Sequence, residues 1–187
     1  MKQIYFICNL HSGRASVGSH LAMIIDKFTA AGFQVTVHPT QDRGDATVCA
    51  KQACDAGCYD ILVCSGGDGT LNEVLQGVIG RPNAAVGCVP CGSGNDYVRN
   101  FGTQAQFLDI DAQLAAKPFA VDLIQTPQGY GIDIYAAGID AQVANGIPKW
   151  RRVPLCGGTT AYTLSILEAI CSTFKHRLRI TADDRRL

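Results

Sequence analysis

Apolar positions along the first hundred residues follow two alternating rhythms. IYFIC (4–8), FQVTVH (33–38), YDILVC (59–64) and AAVGCV (84–89) are short runs of apolar and β-branched residues, the pattern of strands buried on both faces. Between them the period lengthens. Leu21, Ile24, Ile25 and Phe28 recur at helical spacing over 19–31, and Gly32 closes that helix. Asp45 is the expected N-cap of a helix over 46–56 ended by Gly57, and a third helix is expected from Thr70 to about Val78. Strands alternating with helices predict an α/β fold, an open, mostly parallel sheet with helices on both faces.

After about residue 117 the rhythm changes. FAVDLIQT (119–126) and YGIDIYAA (130–137), separated by Pro-Gln-Gly, read as an antiparallel hairpin. An amphipathic helix is expected over 159–174 and a strand over 176–181, before the turn residues Ala-Asp-Asp-Arg-Arg-Leu. The expected division is therefore a nucleotide-binding α/β domain, 1–117, followed by an incomplete β-rich second domain, 118–187, truncated at a strand that lacks its partner.

Composition narrows the class. With 47% apolar residues, 17% charged residues and no apolar run near the length of about 18 needed to cross a bilayer, a globular protein is expected. Asn9 and His11 interrupt the N-terminal apolar stretch before any cleavage site, so no signal peptide is expected and the reading is cytoplasmic. A formal net charge of zero argues against a nucleic-acid partner. Basic residues do cluster locally, as Lys149, Arg151 and Arg152 around Trp150, and as Arg185 and Arg186. The nine cysteines read as small buried hydrophobes in a reducing compartment, because Cys88 and Cys91 form one CxxC with no second ligand pair for zinc.

The candidate chemistry lies in three loops that follow strands: NLHSGR (9–14), SGGDGT (65–70) and PCGSGND (90–96). Ligands of open parallel sheets bind beyond the carboxyl ends of the strands, so the three loops are expected to line one crevice. Their small residues allow phosphate oxygens to approach backbone N–H groups, and the second loop leads into a helix N-terminus that favours anions. There is no GxxxxGK[ST] and no third glycine of GxGxxG, which disfavours a P-loop NTPase or a dinucleotide oxidoreductase.

GGDGTLNEV (66–74), with N-x-x-S-G at 9–13, GDAT at 44–47, G-S-G-N-D at 92–96, VDL at 121–123 and YGIDIYAAGIDAQV at 130–143, resembles the catalytic domain of the diacylglycerol kinase family. GGDGT alone is shared with NAD kinases; the second loop is far more specific to lipid kinases. The resemblance implies transfer of the ATP γ-phosphoryl group to a lipid hydroxyl, with Mg²⁺, at the inner face of a membrane. By matched position it implies nucleotide contacts from Asn9, Ser12, Gly13, Arg14, Thr40, Gly66, Gly67, Asp68, Gly69, Thr70, Leu71, Asn72, Glu73, Gly92, Ser93, Gly94 and Asn95. Asp68 and Asp96 would be catalytic, and Asp68 would also be linked to the metal, because a carboxylate beside a triphosphate otherwise repels it.

Two departures are visible. The family's Asn-Pro is here Asn9-Leu10, and the acidic catalytic and metal-binding positions of the family's second lobe have no match after Thr181, Asp183 and Asp184 being poor substitutes. The alternatives are thus an active lipid kinase, a catalytically incompetent ATP-binding fragment, and an NAD kinase resting on GGDGT alone. Whether the chain forms a homodimer is left open by the sequence.

Overall fold

A computed structural model describes residues 2–12, 17–81, 84–154, 156, 158–172, 179, 181–182 and 185–186. Strands β1 (Lys2–Cys8), β2 (Phe33–Pro39), β3 (Ile61–Gly66) and β4 (Val86–Pro90) form one sheet in the order β2-β1-β3-β4, with every neighbouring pair parallel. The connections are helices α1 (Val17–Ala30), α2 (Asp45–Ala56) and α3 (Asp68–Val78).

Alternation along the strands divides the core between the two faces of the sheet. On one face Ile4, Phe6, Cys8, Val63 and Val89 pack with Ile24 and Phe28 of α1 and with Ile110, which begins α6 (Ile110–Ala115). On the other, Ile7, Leu62 and Cys64 pack under Ala46, Cys49, Ala50 and Ala53 of α2 and Leu71, Val74 and Val78 of α3. The small residues of α2 let α3 come close. A Cβ on Gly77 would stand 2.8 Å from the Ala50 Cβ and 2.5 Å from the Thr47 carbonyl oxygen, so this crossing admits only glycine.

Two short helices, α4 (Asp96–Arg99) and α5 (Gln104–Leu108), link β4 to α6. Thr103 caps α5 through a reciprocal capping box with Gln106, and Asp109 caps α6 through the Asp111 and Ala112 N–H groups. The helix that the sequence assigns to Asp45 as N-cap is built differently. Gly44 takes the cap position in a left-handed conformation (φ 89), and Asp45 lies in the first turn, where its carboxylate accepts from the Gln41 N–H (2.9 Å) and meets His38 Nε2 at 3.1 Å.

The expected hairpin forms over a shorter span, as β5 (Ile124–Thr126) and β6 (Gly129–Gly131). It is fastened to α3 rather than opening the next unit. Gln76 donates to the Tyr130 carbonyl (2.6 Å) and accepts from the Tyr130 N–H (3.1 Å), filling both valences of a strand residue with one side-chain amide. The chain divides into two compact units, Met1–Asp133 and Ile134–Leu187.

Among its described residues the second unit is chiefly helical. It holds α7 (Ile139–Arg151), α8 (Gly158–Ser172) and one pair of two-residue strands, β7 (Thr181–Ala182) and β8 (Arg185–Arg186). Helix α7 contains Gly146 and Pro148, which conceal it from a propensity reading. Packing overrides them. Ser165 of α8 donates to the Val143 carbonyl (2.6 Å), and Glu168 accepts from Trp150 Nε1 (2.7 Å) and Lys149 Nζ (2.5 Å). The strand expected over 176–181 and the residues Asp183 and Asp184 lie outside the described residues, apart from Arg179 and Thr181.

All nine cysteines are free thiols, with Cys8, Cys49 and Cys64 in the core and Cys58 and Cys171 exposed. Burial raises the thiols of Cys8 and Cys49 to about 11, and that of Cys88 to about 12 with the charge of Asp68 adding to it. No helix among the described residues is long and apolar enough to cross a membrane.

Candidate functional site

The three loops named from sequence meet at the carboxyl end of the sheet. Asn9 follows β1 directly, and its N–H donates to the Ser65 carbonyl (2.9 Å), extending the β1–β3 ladder by one residue. Its side-chain Nδ2 lies 3.2 Å from Thr70 Oγ1, while its Oδ1 accepts from the His11 N–H (3.0 Å). The Ser12 N–H returns to the Asn9 carbonyl (3.1 Å). One asparagine therefore shapes the first loop and ties it to the first turn of α3. Gly13 and Arg14 lie outside the described residues.

The second loop is glycine for two separate reasons. A Cβ on Gly66 would stand 2.6 Å from the Thr70 side chain, and one on Gly67 would stand 3.1 Å from the Gly92 Cα of the third loop. Gly67 is the N-cap of α3 and offers no side-chain acceptor, so the first-turn N–H groups of an eleven-residue helix are left without a capping side chain. Gly69 is different. It is exposed, its φ is not positive and a Cβ there would meet nothing within 4 Å, so neither packing nor backbone conformation requires glycine at that place.

In the third loop Asn95 is the one described non-glycine residue at positive φ (57°). It is 3% exposed, and its amide accepts from the Gly92 N–H (2.9 Å) and donates to the Gly92 carbonyl (2.8 Å). Asparagine tolerates the left-handed region and replaces the missing backbone partners of a tight turn. The loop is joined to its neighbour at both ends, since the Cys91 N–H donates to the Gly66 carbonyl (2.8 Å) and the Tyr97 N–H to Asp68 Oδ1 (3.2 Å).

Asp68 thus has one oxygen committed to the third loop. Its Oδ2 and the Oδ2 of Asp96 both lie 3.1 Å from the Cβ position of Gly94, which brings the two carboxylates together beside that glycine. Asp96 Oδ1 pairs with Arg99 Nη1 at 2.6 Å. Ser93 is exposed on the loop between them.

Thr40 also reaches the group, its N–H donating to the Cys8 carbonyl (2.9 Å) immediately before Asn9. Three further sequence-assigned residues lie along α3. Leu71 is buried in the core beneath α3, Asn72 Oδ1 is 3.5 Å from Gln76 Nε2, and the Glu73 carboxylate accepts from the Gly44 N–H (2.9 Å). Gly44 itself escaped the sequence reading as a conformational requirement; the pair Gly44-Asp45, ahead of a helix, was the available signal.

The family model of the diacylglycerol kinase catalytic domain matches residues 3–126. The chain belongs to that family. A diacylglycerol kinase of Bacillus subtilis is 32% identical over 99% of this chain and 61% of its own length, and one of Staphylococcus saprophyticus is 30% identical over 98% of this chain and 60% of its own. A crystal structure of a diacylglycerol kinase from Bacillus anthracis superposes with a TM-score of 0.57 at 24% identity, over 69% of this chain and 47% of that one, and shares its fold. The chain spans about 60% of the length of the curated relatives it matches.

Proposed function

We propose that this chain carries the nucleotide-binding part of an ATP-dependent lipid kinase, which transfers the γ-phosphoryl group to a lipid hydroxyl such as that of diacylglycerol. The observation that carries the reading is Gly69. A glycine inside a helix costs up to about 1 kcal/mol relative to alanine, and here no contact or backbone angle calls for it. The open space above it lies in the first turn of α3, whose glycine N-cap supplies no side-chain acceptor, and phosphate oxygens are favoured at such a helix N-terminus.

Mg²⁺ suits the residues present. Among the described residues no three His, Cys, Asp or Glu side chains gather to enclose a metal. Mg²⁺ characteristically takes only one or two carboxylates and completes its shell with phosphate and water. Asp68 and Asp96 would hold it through their Oδ2 atoms, and it would supply charge neutralisation of the triphosphate. The protein's own part is positional: Asn9, Asn95 and the Gly67–Gly92 contact fix the loops, and the α3 N–H groups receive phosphate. The lipid substrate is met at a membrane surface, and the exposed Arg151 and Arg152 of the second unit are cations suited to anionic headgroups.

The test is transfer of labelled phosphate from ATP to diacylglycerol in mixed micelles, with Asp68→Ala as the comparison. Transfer lost in that variant supports the reading, and absence of ATP binding by the wild-type chain refutes it. A second reading is ATP binding without transfer. Measurable ATP affinity with no lipid phosphorylation selects it.

A further inference from the structure

We propose that Glu73 is a positioning residue, which holds the Thr40–Gly44 turn against the glycine loops and acts on nucleotide affinity through that turn rather than by touching the nucleotide. The inference rests on the ATP-binding reading above and deepens it.

The turn between β2 and α2 is held at three points. At its start the Thr40 N–H donates to the Cys8 carbonyl (2.9 Å). Within it, the Gln41 N–H donates to Asp45 Oδ2 (2.9 Å), and the Asp45 N–H donates to the Asp42 carbonyl (3.2 Å). At its end stands Gly44, left-handed at φ 89, with no side chain of its own to cap α2. Glu73 reaches this point from α3. Its Oε2 accepts from the Gly44 N–H at 2.9 Å, and its backbone carbonyl accepts from Thr47 Oγ1 at 2.8 Å.

A closed circuit results. The end of β1 is joined to the turn through Cys8 and Thr40, the turn is joined to α3 through Gly44 and Glu73, and α3 returns to the end of β1 through Thr70 and Asn9. Every other link is made by backbone or by a short side chain. Glu73 is the one long, charged member of the circuit. A carboxylate at the N-terminal end of α2 is also favoured by that helix's dipole.

The test compares Glu73→Ala with Glu73→Gln in the full chain, reading amide exchange at Gly44 without nucleotide and ATP affinity by titration. Glu73→Ala is expected to speed exchange at Gly44 at least about tenfold and to weaken ATP by about tenfold, as for loss of one hydrogen bond to a charged acceptor. Glu73→Gln keeps an acceptor oxygen, so it should lose no more than about threefold in either measurement. Equal losses in ATP affinity for both variants, with exchange unchanged, would mean that the charge itself meets nucleotide or metal and would overturn the proposal. Should Glu73→Ala fail to fold, Glu73→Asp, one methylene too short to reach Gly44, takes its place with the same expectation. A wild-type chain that binds no ATP refutes the function proposed above and the affinity half of this inference, while exchange at Gly44 still decides whether Glu73 holds the turn.

Discussion

Gly92 and Gly69 make opposite demands, and alanine at each separates structural from ligand-driven glycine. A Cβ on Gly92 would fall onto the Gly67 Cα, 2.8 Å from Asn95 Oδ1 and 3.3 Å from the Gly67 nitrogen. Carbon atoms rest about 3.5–4.0 Å apart, so the second and third loops would have to part by on the order of 1 Å. They are pinned against that movement by the Cys91–Gly66 and Tyr97–Asp68 hydrogen bonds. Overpacking costs about 1–3 kcal/mol, and each hydrogen bond lost adds about 1 kcal/mol. Gly92→Ala should therefore destabilise by about 2–4 kcal/mol, whereas Gly69→Ala, with nothing within 4 Å and a helical backbone, should be neutral or stabilising by up to about 1 kcal/mol. Urea unfolding of both variants measures this. The same samples, titrated with ATP, should show Gly69→Ala losing affinity in spite of its intact fold. Gly92→Ala within about 0.5 kcal/mol of wild type would refute the steric argument, and undiminished ATP affinity in Gly69→Ala would refute the claim that its open face receives phosphate.

Other outcomes follow from single contacts. Asp68→Ala should abolish the transfer proposed above while removing the acceptor of the Tyr97 N–H, a stability loss of about 1 kcal/mol by thermal melt; retained transfer would exclude Asp68 as catalytic. Gln76→Ala should release β5–β6 from α3, read as faster exchange at the Tyr130 amide with the β1–β3 amides unaffected. The Gln41 N–H, and then His38, hold the Asp45 carboxyl below the ordinary aspartate range. A depressed carboxyl contributes stability that is full above the unfolded titration range and is lost as pH falls through the folded value. The stability gap between wild type and Asp45→Asn should thus be widest above about pH 5 and close as the solution is acidified; a gap that widens in acid would contradict it. In native protein, Cys58 and Cys171 should react with a thiol reagent first and Cys64, fully enclosed, last, as mass spectrometry of the labelled peptides would show.

The parallel sheet and the three helices between its strands were legible because period and glycine punctuation agree along residues 2–90. The convergence of Asn9, Asp68 and Asn95 followed from the rule that places ligand loops at the carboxyl ends of strands. What the sequence concealed is carried by contacts with no period. Helix α7 forms through Gly146 and Pro148 because Ser165 and Glu168 of α8 satisfy and pack it. Glu73 reads as part of the glycine loop, yet its partner is a backbone N–H twenty-nine residues earlier. The hairpin was found, but its attachment to α3 depends on the amide of Gln76, which no local pattern distinguishes from any other surface glutamine.

The strand order β2-β1-β3-β4 has its own consequence. After β1 the chain winds outward in one direction to β2, then crosses back over to β3 and proceeds the opposite way to β4. The helix leaving β1 covers one face and those leaving β2 and β3 cover the other, so the winding reverses between β1 and β3, the kind of place at which open α/β sheets bind ligands. That switch point is a property of connectivity and exists before any side chain is chosen, which leaves the loops beside it free to change their chemistry without disturbing the sheet beneath.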